Sequence, residues 1–242
     1  MTTNTTRPES RPCLVFACAH LCDGRLYAAQ VDALGAAYDC RVFVSRNHDS
    51  LPAMAAALLA EAPPRFTLIG LSLGGYLAFE VIRRAAARLQ RLVLLDTRAS
   101  ADSEAGRTTR LADLARVRDG GIGALIPELP ARWLLTAHVA RPGLAELMAS
   151  MARSIGADGQ RNQQQAMLAR PDSFDVLARL TIPTLVACGA QDPVTPVADH
   201  VAMAERIAGA RLELIPDCGH LSTLEQPDLV TGVLAEWLAA TG

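Results

Sequence analysis

The chain has 242 residues, 50% of them hydrophobic, with 23 Lys+Arg against 25 Asp+Glu and a formal net charge of −2. That much apolar material fills one sizeable core, while near-balanced charges scattered along the chain give a phosphate backbone no basic patch to grip, which excludes nucleic acid as the expected partner. Met1 to Pro12 is polar and carries no signal-peptide character, and the apolar run Cys13 to Ala19 is far too short to span a bilayer, so the expected setting is cytoplasmic with no membrane partner.

Read in chain order, short runs rich in Val, Ile and Leu recur at Cys13–Ala17, Arg41–Val44, Phe66–Gly70, Leu92–Leu95, Thr184–Cys188 and Leu212–Ile215, each near the length of a buried strand. The segment ahead of the first run is too short for an additional hairpin, so the predicted sheet has six strands. Between most of the runs lie stretches of helical spacing, such as Leu73, Leu77, Val81 and Ala85, or Leu229, Val230, Val233, Leu234, Trp237 and Leu238. Such alternation predicts a mostly parallel, doubly wound α/β sheet covered on both faces.

The alternation stops between about Ala99 and Leu180, where helical patterns dominate, as in Leu144, Leu147, Met148, Met151 and Ile155. Gly120-Gly121, Pro127, Pro130, Arg141-Pro142-Gly143 and Arg170-Pro171-Asp172 punctuate this stretch into what reads as four short helices. The predicted organisation is a core of residues 12–99 and 179–242 with a helical cap at 100–178. The six cysteines (Cys13, Cys18, Cys22, Cys40, Cys188, Cys218) form no CxxC pair. A core of this size needs no disulfide staples and Cys18 with Cys22 supplies too few ligands for zinc, so reduced thiols, no metal and no cofactor are expected.

Gly70-Leu71-Ser72-Leu73-Gly74 fits G-x-S-x-G and sits directly after a strand candidate and at the start of a helix candidate. A serine on so tight a turn needs small residues two before and two after it, which Gly70 and Gly74 provide, and it presents its hydroxyl at a helix N-terminus that favours developing negative charge. The alternative is a glycine-rich turn whose serine only caps the helix. A hydroxyl needs a base to become a nucleophile. Of five histidines, His220 follows the last strand candidate by a short loop and so shares the sheet edge with Ser72. His48, His138 and His200 fall on expected surface loops or helices, where a solvated or packed role is expected. Asp192, just after Thr184–Cys188, supplies a carboxylate to orient the imidazole; Asp96 at the end of Leu92–Leu95 is its rival, and Asp217 reads as a turn cap.

With these motifs the chain resembles the α/β-hydrolase superfamily, in the branch of small capped esterases that includes pimeloyl-carrier-protein methyl ester esterases and enol-lactone hydrolases. The resemblance rests on Leu71-Ser72-Leu73-Gly74-Gly75, on Gly189-Ala190-Gln191-Asp192-Pro193-Val194-Thr195-Pro196 and on Gly219-His220-Leu221-Ser222-Thr223-Leu224-Glu225-Gln226-Pro227, and covers almost the whole chain. The order Ser72, Asp192, His220 is the order of that superfamily. After the first strand Cys18-Ala19 stands where His-Gly or Pro-Gly is usual. The resemblance implies an oxyanion hole of the backbone N–H groups of Leu73 and His20, with Leu21 the alternative to His20 if the turn is shifted by one residue.

The expected activity is hydrolysis of a small-molecule carboxylic ester or lactone, with Ser72, His220 and Asp192 as triad and Leu21, Trp133, Met148 and Met151 as pocket candidates. Alternatives on the same fold are cleavage of a C–C bond in a diketone and ligand binding without turnover. Monomer and homodimer are both compatible with the sequence. The scarcity of aromatic residues, 4% of the chain, suggests a small or slender substrate.

Overall fold

The computed structural model describes residues 11–242, so all of the polar Met1–Pro12 segment except Arg11 and Pro12 lies outside the described residues. In chain order the elements are β1 Cys13–Ala17, α1 Ala28–Leu34, β2 Asp39–Phe43, α2 Leu51–Glu61, β3 Phe66–Leu71, α3 Leu73–Ala85 and β4 Leu89–Leu95. Four helices follow without a strand: α4 Glu104–Gly120, α5 Leu129–Trp133, α6 Leu144–Leu168 and α7 Phe174–Leu177. The chain then returns to the sheet with β5 Thr184–Gly189, α8 Val197–Ala204, β6 Arg211–Ile215, α9 Ser222–Glu225 and α10 Pro227–Ala240.

The strands form one six-stranded sheet in the order β2-β1-β3-β4-β5-β6, every pairing parallel. β1, β3 and β5 are buried along their whole length, which is why they read as unbroken apolar runs rather than alternating ones. The edge strands β2 and β6 are half-exposed and carry Asp39, Arg41, Arg211 and Glu213, charges that discourage further strand pairing. Side chains alternate between two cores. Leu14, Phe16, Ile69, Leu71, Val93 and Leu95 face α1 and α10. Val15, Ala17, Phe66, Leu68, Leu92 and Leu94 face α2, α3 and α8.

The order 2-1-3 means that the chain leaves β1 toward one edge and then starts β3 on its other side. The C-terminal ends of β1 and β3 therefore flank a topological switch, where open α/β sheets place their ligands. The helices between β4 and β5 emerge at that same edge. Two of them are long, against the four short helices expected from the punctuation. α4 starts at the Ser103 cap, whose hydroxyl accepts from the Gly106 N–H, and ends where Gly121 takes φ 67°. α6 begins after Gly143 at φ 79° and runs 25 residues with a kink at Gly156, φ 73°, so this glycine bends the helix without ending it. Among the described residues no helix is long and apolar enough to cross a membrane.

Candidate active site

Ser72 sits between β3 and α3 with φ 54° and ψ −109°, a backbone conformation that costs about 1–3 kcal/mol for a residue other than glycine. The surroundings hold it there. Its N–H donates to the Leu95 carbonyl at 3.0 Å, and its carbonyl accepts from the Thr97 hydroxyl at 2.9 Å and from the Gly75 N–H at 2.9 Å. The turn closes because of two glycines: a Cβ on Gly70 would collide with the backbone of Gly74, and a Cβ on Gly74 would overlap the Ala17 carbonyl at the end of β1. The small residues required by the motif are thus explained by close backbone approach, not by positive φ at the glycines themselves.

The turn brings Ser72 to His220 and Asp192, which sit on the loops after β6 and β5. Ser72 Oγ lies 3.0 Å from His220 Nε2, and His220 Nδ1 lies 2.8 Å from Asp192 Oδ2. Asp192 also accepts from the N–H groups of Val194 and Thr195 at 2.7 and 3.0 Å and from the Thr195 hydroxyl at 2.6 Å. Burial alone would raise the Asp192 pKa, but the imidazole and the Thr195 donors outweigh it and hold the carboxyl below its usual range. Burial likewise lowers His220, yet the charge and hydrogen bond of Asp192 more than compensate, and the net shift is upward. The His220 N–H donates to the Trp133 carbonyl at 2.8 Å, tying this loop to α5.

Asp96, the rival acid, is buried at φ 43° and makes no hydrogen bond to His220. It accepts from the Gly189 N–H at 2.9 Å and from the N–H and hydroxyl of Ser222. Burial, then the neighbouring Asp192, push its carboxyl up to about 8. Asp217 occupies a turn at φ 49° and its carbonyl accepts from Gln226. His200, expected near the surface, is fully buried: its Nε2 accepts from the Thr97 N–H at 2.9 Å, and burial lowers it to about 4. His138 is not solvated either, since its Nδ1 lies 2.9 Å from the buried Glu225 carboxylate. Cys18 and Cys22 are buried in apolar surroundings that push both thiols upward, so neither holds a thiolate near neutral pH.

The loop after β1 is fastened by a residue that the motifs did not single out. Gln163 on α6 accepts through one oxygen from the Leu21 N–H at 3.0 Å and from His20 Nδ1 at 2.8 Å, while its amide donates to the Ser45 carbonyl at 2.6 Å. The Leu21 N–H is therefore committed, and Leu21 itself is held at φ 56°. Among the described residues no acceptor pairs with the His20 N–H, nor with that of Leu73 in the first turn of α3. Burial, then the charge of Arg110, lower the His20 imidazole to about 3, so it is neutral. The only sequence signal for Gln163 was the run Gln163-Gln164-Gln165 in a helix with a buried face, which forces at least one amide inward.

A small cavity of about 50 Å³ opens on Ser72 and His220 and is walled by His20, Arg110, Trp133 and Met167. It adjoins an outer cavity of about 480 Å³ that shares His20, Arg110 and Trp133 and is bordered by Leu21, Leu129 and several charged side chains. Of the pocket candidates, Leu21 and Trp133 line these cavities. Met148 and Met151 do not; they are buried in the apolar core, where helical spacing alone would put them. Met167, the penultimate residue of α6, supplies the methionine contact instead.

A model described as the alpha/beta hydrolase family matches residues 15–233. The chain is 28% identical over 238 residues to 3-oxoadipate enol-lactonase 1 of Acinetobacter baylyi, covering 91% of this chain and 86% of that protein. It is 29% identical to a pimeloyl-[acyl-carrier protein] methyl ester esterase of Nitrosomonas europaea, with 84% and 81% covered. The structure of a thermophilic esterase from Thermogutta terrifontis, with malate bound, superposes with a TM-score of 0.87 at 30% identity, over 96% of this chain and 91% of that one.

The elbow geometry gives a direct stability test. Gly74→Ala forces a Cβ into the backbone of β1 and is expected to cost at least the upper end of the roughly 1–3 kcal/mol of an overpacked core, read as the urea midpoint. Gly232→Ala, on the exposed face of α10 with nothing near its Cβ, should instead gain about 0.5–1 kcal/mol.

Proposed function

The chain belongs to the alpha/beta hydrolase family, in its esterase and enol-lactone hydrolase branch, and on that footing we propose that it hydrolyses a carboxylic ester or lactone through an acyl-enzyme on Ser72. The observation that carries this reading is the unbroken hydrogen-bond chain from Ser72 Oγ through His220 to Asp192 beneath a cavity. The enol-lactonase and esterase relatives support ester or lactone chemistry within the family.

Ser72 Oγ attacks the substrate carbonyl carbon as its proton passes to His220 Nε2, and the carbonyl π electrons move onto oxygen. The N–H groups of Leu73 and His20 hold that oxyanion, with the N-terminal end of α3 adding to the stabilisation. Collapse of the tetrahedral intermediate expels the alkoxide, which takes the proton from His220. Water then gives its proton to His220, attacks the acyl carbon, and releases the acid with Ser72 reprotonated. Asp192 fixes the tautomer with the proton on Nδ1 and stabilises the imidazolium. The helices of residues 100–178 act as a cap that excludes bulk water from these steps.

The decisive experiment is turnover of p-nitrophenyl esters together with fluorophosphonate labelling; both should vanish in Ser72→Ala, and persistence of either would remove Ser72 from its role. Asp192→Asn should lower kcat by about 10⁴-fold, as expected for loss of an orienting carboxylate, whereas Asp96→Asn, which touches Ser222 and not His220, should cost far less. Because only neutral His220 accepts a proton, activity must fall as pH drops through its folded pKa. Asp192 raises that pKa, so the acidic limb of residual kcat/KM in Asp192→Asn should move to lower pH than in the wild type. Gln163→Met frees the Leu21 N–H and the β1 loop, and is expected to lower kcat by about 10- to 100-fold with a smaller change in KM. An unchanged kcat would dissociate Gln163 from the oxyanion loop.

A further inference from the structure

The cavity over Ser72 is bordered by a guanidinium as well as by apolar side chains. Arg110 on α4 lines both the inner cavity beside Ser72 and His220 and the outer one beyond. Its Nε donates to Asp102 Oδ2 at 2.5 Å, Nη2 approaches Asp102 Oδ1 at 3.5 Å, and Nη1 donates to Gln164 Oε1 at 3.0 Å. Of the five N–H groups of a guanidinium, two are left without an oxygen acceptor among the described residues: one on Nη1, which meets only the Met167 sulfur at 3.2 Å, and one on Nη2. A thioether is a weak acceptor, so one N–H of Nη1 and one of Nη2 keep most of their capacity.

Charge counting gives the same result. Asp102 is shared: it also pairs at 2.7 Å with Arg170, which is 2% exposed and stacks 4.1 Å over the Tyr76 ring. Two guanidinium groups thus face one carboxylate. The other charges bordering the outer cavity are balanced, with Arg98 against Asp199, and Arg132 with Arg116 against Asp113 and Glu128. Asp192 borders neither cavity, and its carboxylate is already engaged by His220, Val194 and Thr195. Among the side chains that line the outer cavity, Arg98, Arg110 and Arg132 stand against Asp102 and Asp113, one surplus positive charge beside the small cavity that opens on Ser72.

We infer that the substrate is an ester or lactone whose acyl part ends in a carboxylate, and that Arg110 binds that carboxylate end-on through Nη1 and Nη2. This inference rests on the hydrolase reading for its chemistry, which it leaves unchanged. A planar monoanion matches the two unused N–H groups and the single surplus charge; a phosphate dianion would leave one negative charge unmatched. The neutral His20 and Trp133, both half-buried, whose rings meet edge to face at 6.0 Å, form the apolar flank along which a short methylene chain would lie.

The test compares mono-p-nitrophenyl esters of succinate, glutarate and adipate with p-nitrophenyl butyrate and hexanoate. The wild type should favour one of the half-esters in kcat/KM over the neutral ester of similar length by about 10- to 100-fold, the worth of a hydrogen bond to a charged group. Arg110→Met should abolish that ratio and Arg110→Lys should restore part of it. Removal of Arg110 leaves Asp102 paired with Arg170, so the buried acid is not stranded. Free glutarate should inhibit cleavage of the neutral ester competitively in the wild type. A wild type that prefers the neutral ester and ignores glutarate, or a ratio untouched by Arg110→Met, overturns the inference. If neither ester is cleaved and the fluorophosphonate does not label Ser72, the hydrolase reading falls. Calorimetric titration of glutarate into wild type and Arg110→Met then decides the anion site alone: heat confined to the wild type supports it, and no heat overturns it.

Discussion

The structure turns on one tight approach, that of Gly74 against the Ala17 carbonyl. Because α3 can press its first turn onto the end of β1, β3 passes into helix with no intervening loop, and Ser72 is left at positive φ above the sheet. Strain of this kind survives only where neighbours over-determine it. Here the Leu95 carbonyl, the Thr97 hydroxyl and the helix itself each fix one atom of the Ser72 backbone. Among the described residues the non-glycine positions with positive φ are Leu21, Ser72, Asp96 and Asp217, which follow β1, β3, β4 and β6. All are at the C-terminal edge of the sheet. The conformational cost is concentrated where the loops converge, while the strands and their two cores remain regular.

This division explains what could be read from the sequence. Strands buried on both faces announce themselves as apolar runs, and all six appeared within a few residues of their observed limits; β4 begins at Leu89, ahead of the expected Leu92, because Gln90, which bulges out of the register with β3, and Arg91 interrupt the apolar run. Ser72, Asp192 and His220 were legible because each follows closely on the C-terminal end of a strand, where topology leaves little freedom. The helices between β4 and β5 were legible only as a class. Gly156 was indistinguishable in sequence from a helix stop, yet bends α6 and lets it continue. Met148 and Met151 have the spacing of a buried face, but spacing does not say which buried surface a face meets.

The residues that sequence reasoning missed are polar and act across long separations. Gln163 joins α6 to the loop after β1, 142 residues from Leu21, and Arg110 meets Gln164 and Met167 across the interface of α4 with α6. A buried amide or guanidinium has no periodic signature; it is tolerated only because a particular set of partners satisfies it. Those partners exist only after the helices have docked, so no local pattern encodes them.

Glu225 shows how docking and chemistry are joined. Its buried carboxylate accepts from the Leu135 N–H at 2.8 Å and the Leu221 N–H at 3.2 Å and meets His138 at 2.9 Å, and its carbonyl accepts from Arg141. The loop that carries His220 is thereby fastened to the segment between α5 and α6, and the His220 N–H is bonded to the Trp133 carbonyl beside it. Lifting that segment away would strip Glu225 of the Leu135 N–H, His138 and Arg141 together. At this end the helical segment and the imidazole loop must therefore move as one body. At the other end α4 and α6 meet the β1 loop through Gln163 and the cavity through Arg110, by hydrogen bonds that a bound anion and an oxyanion would each reinforce. The same polar contacts that hold the helices over Ser72 thus shape what reaches it.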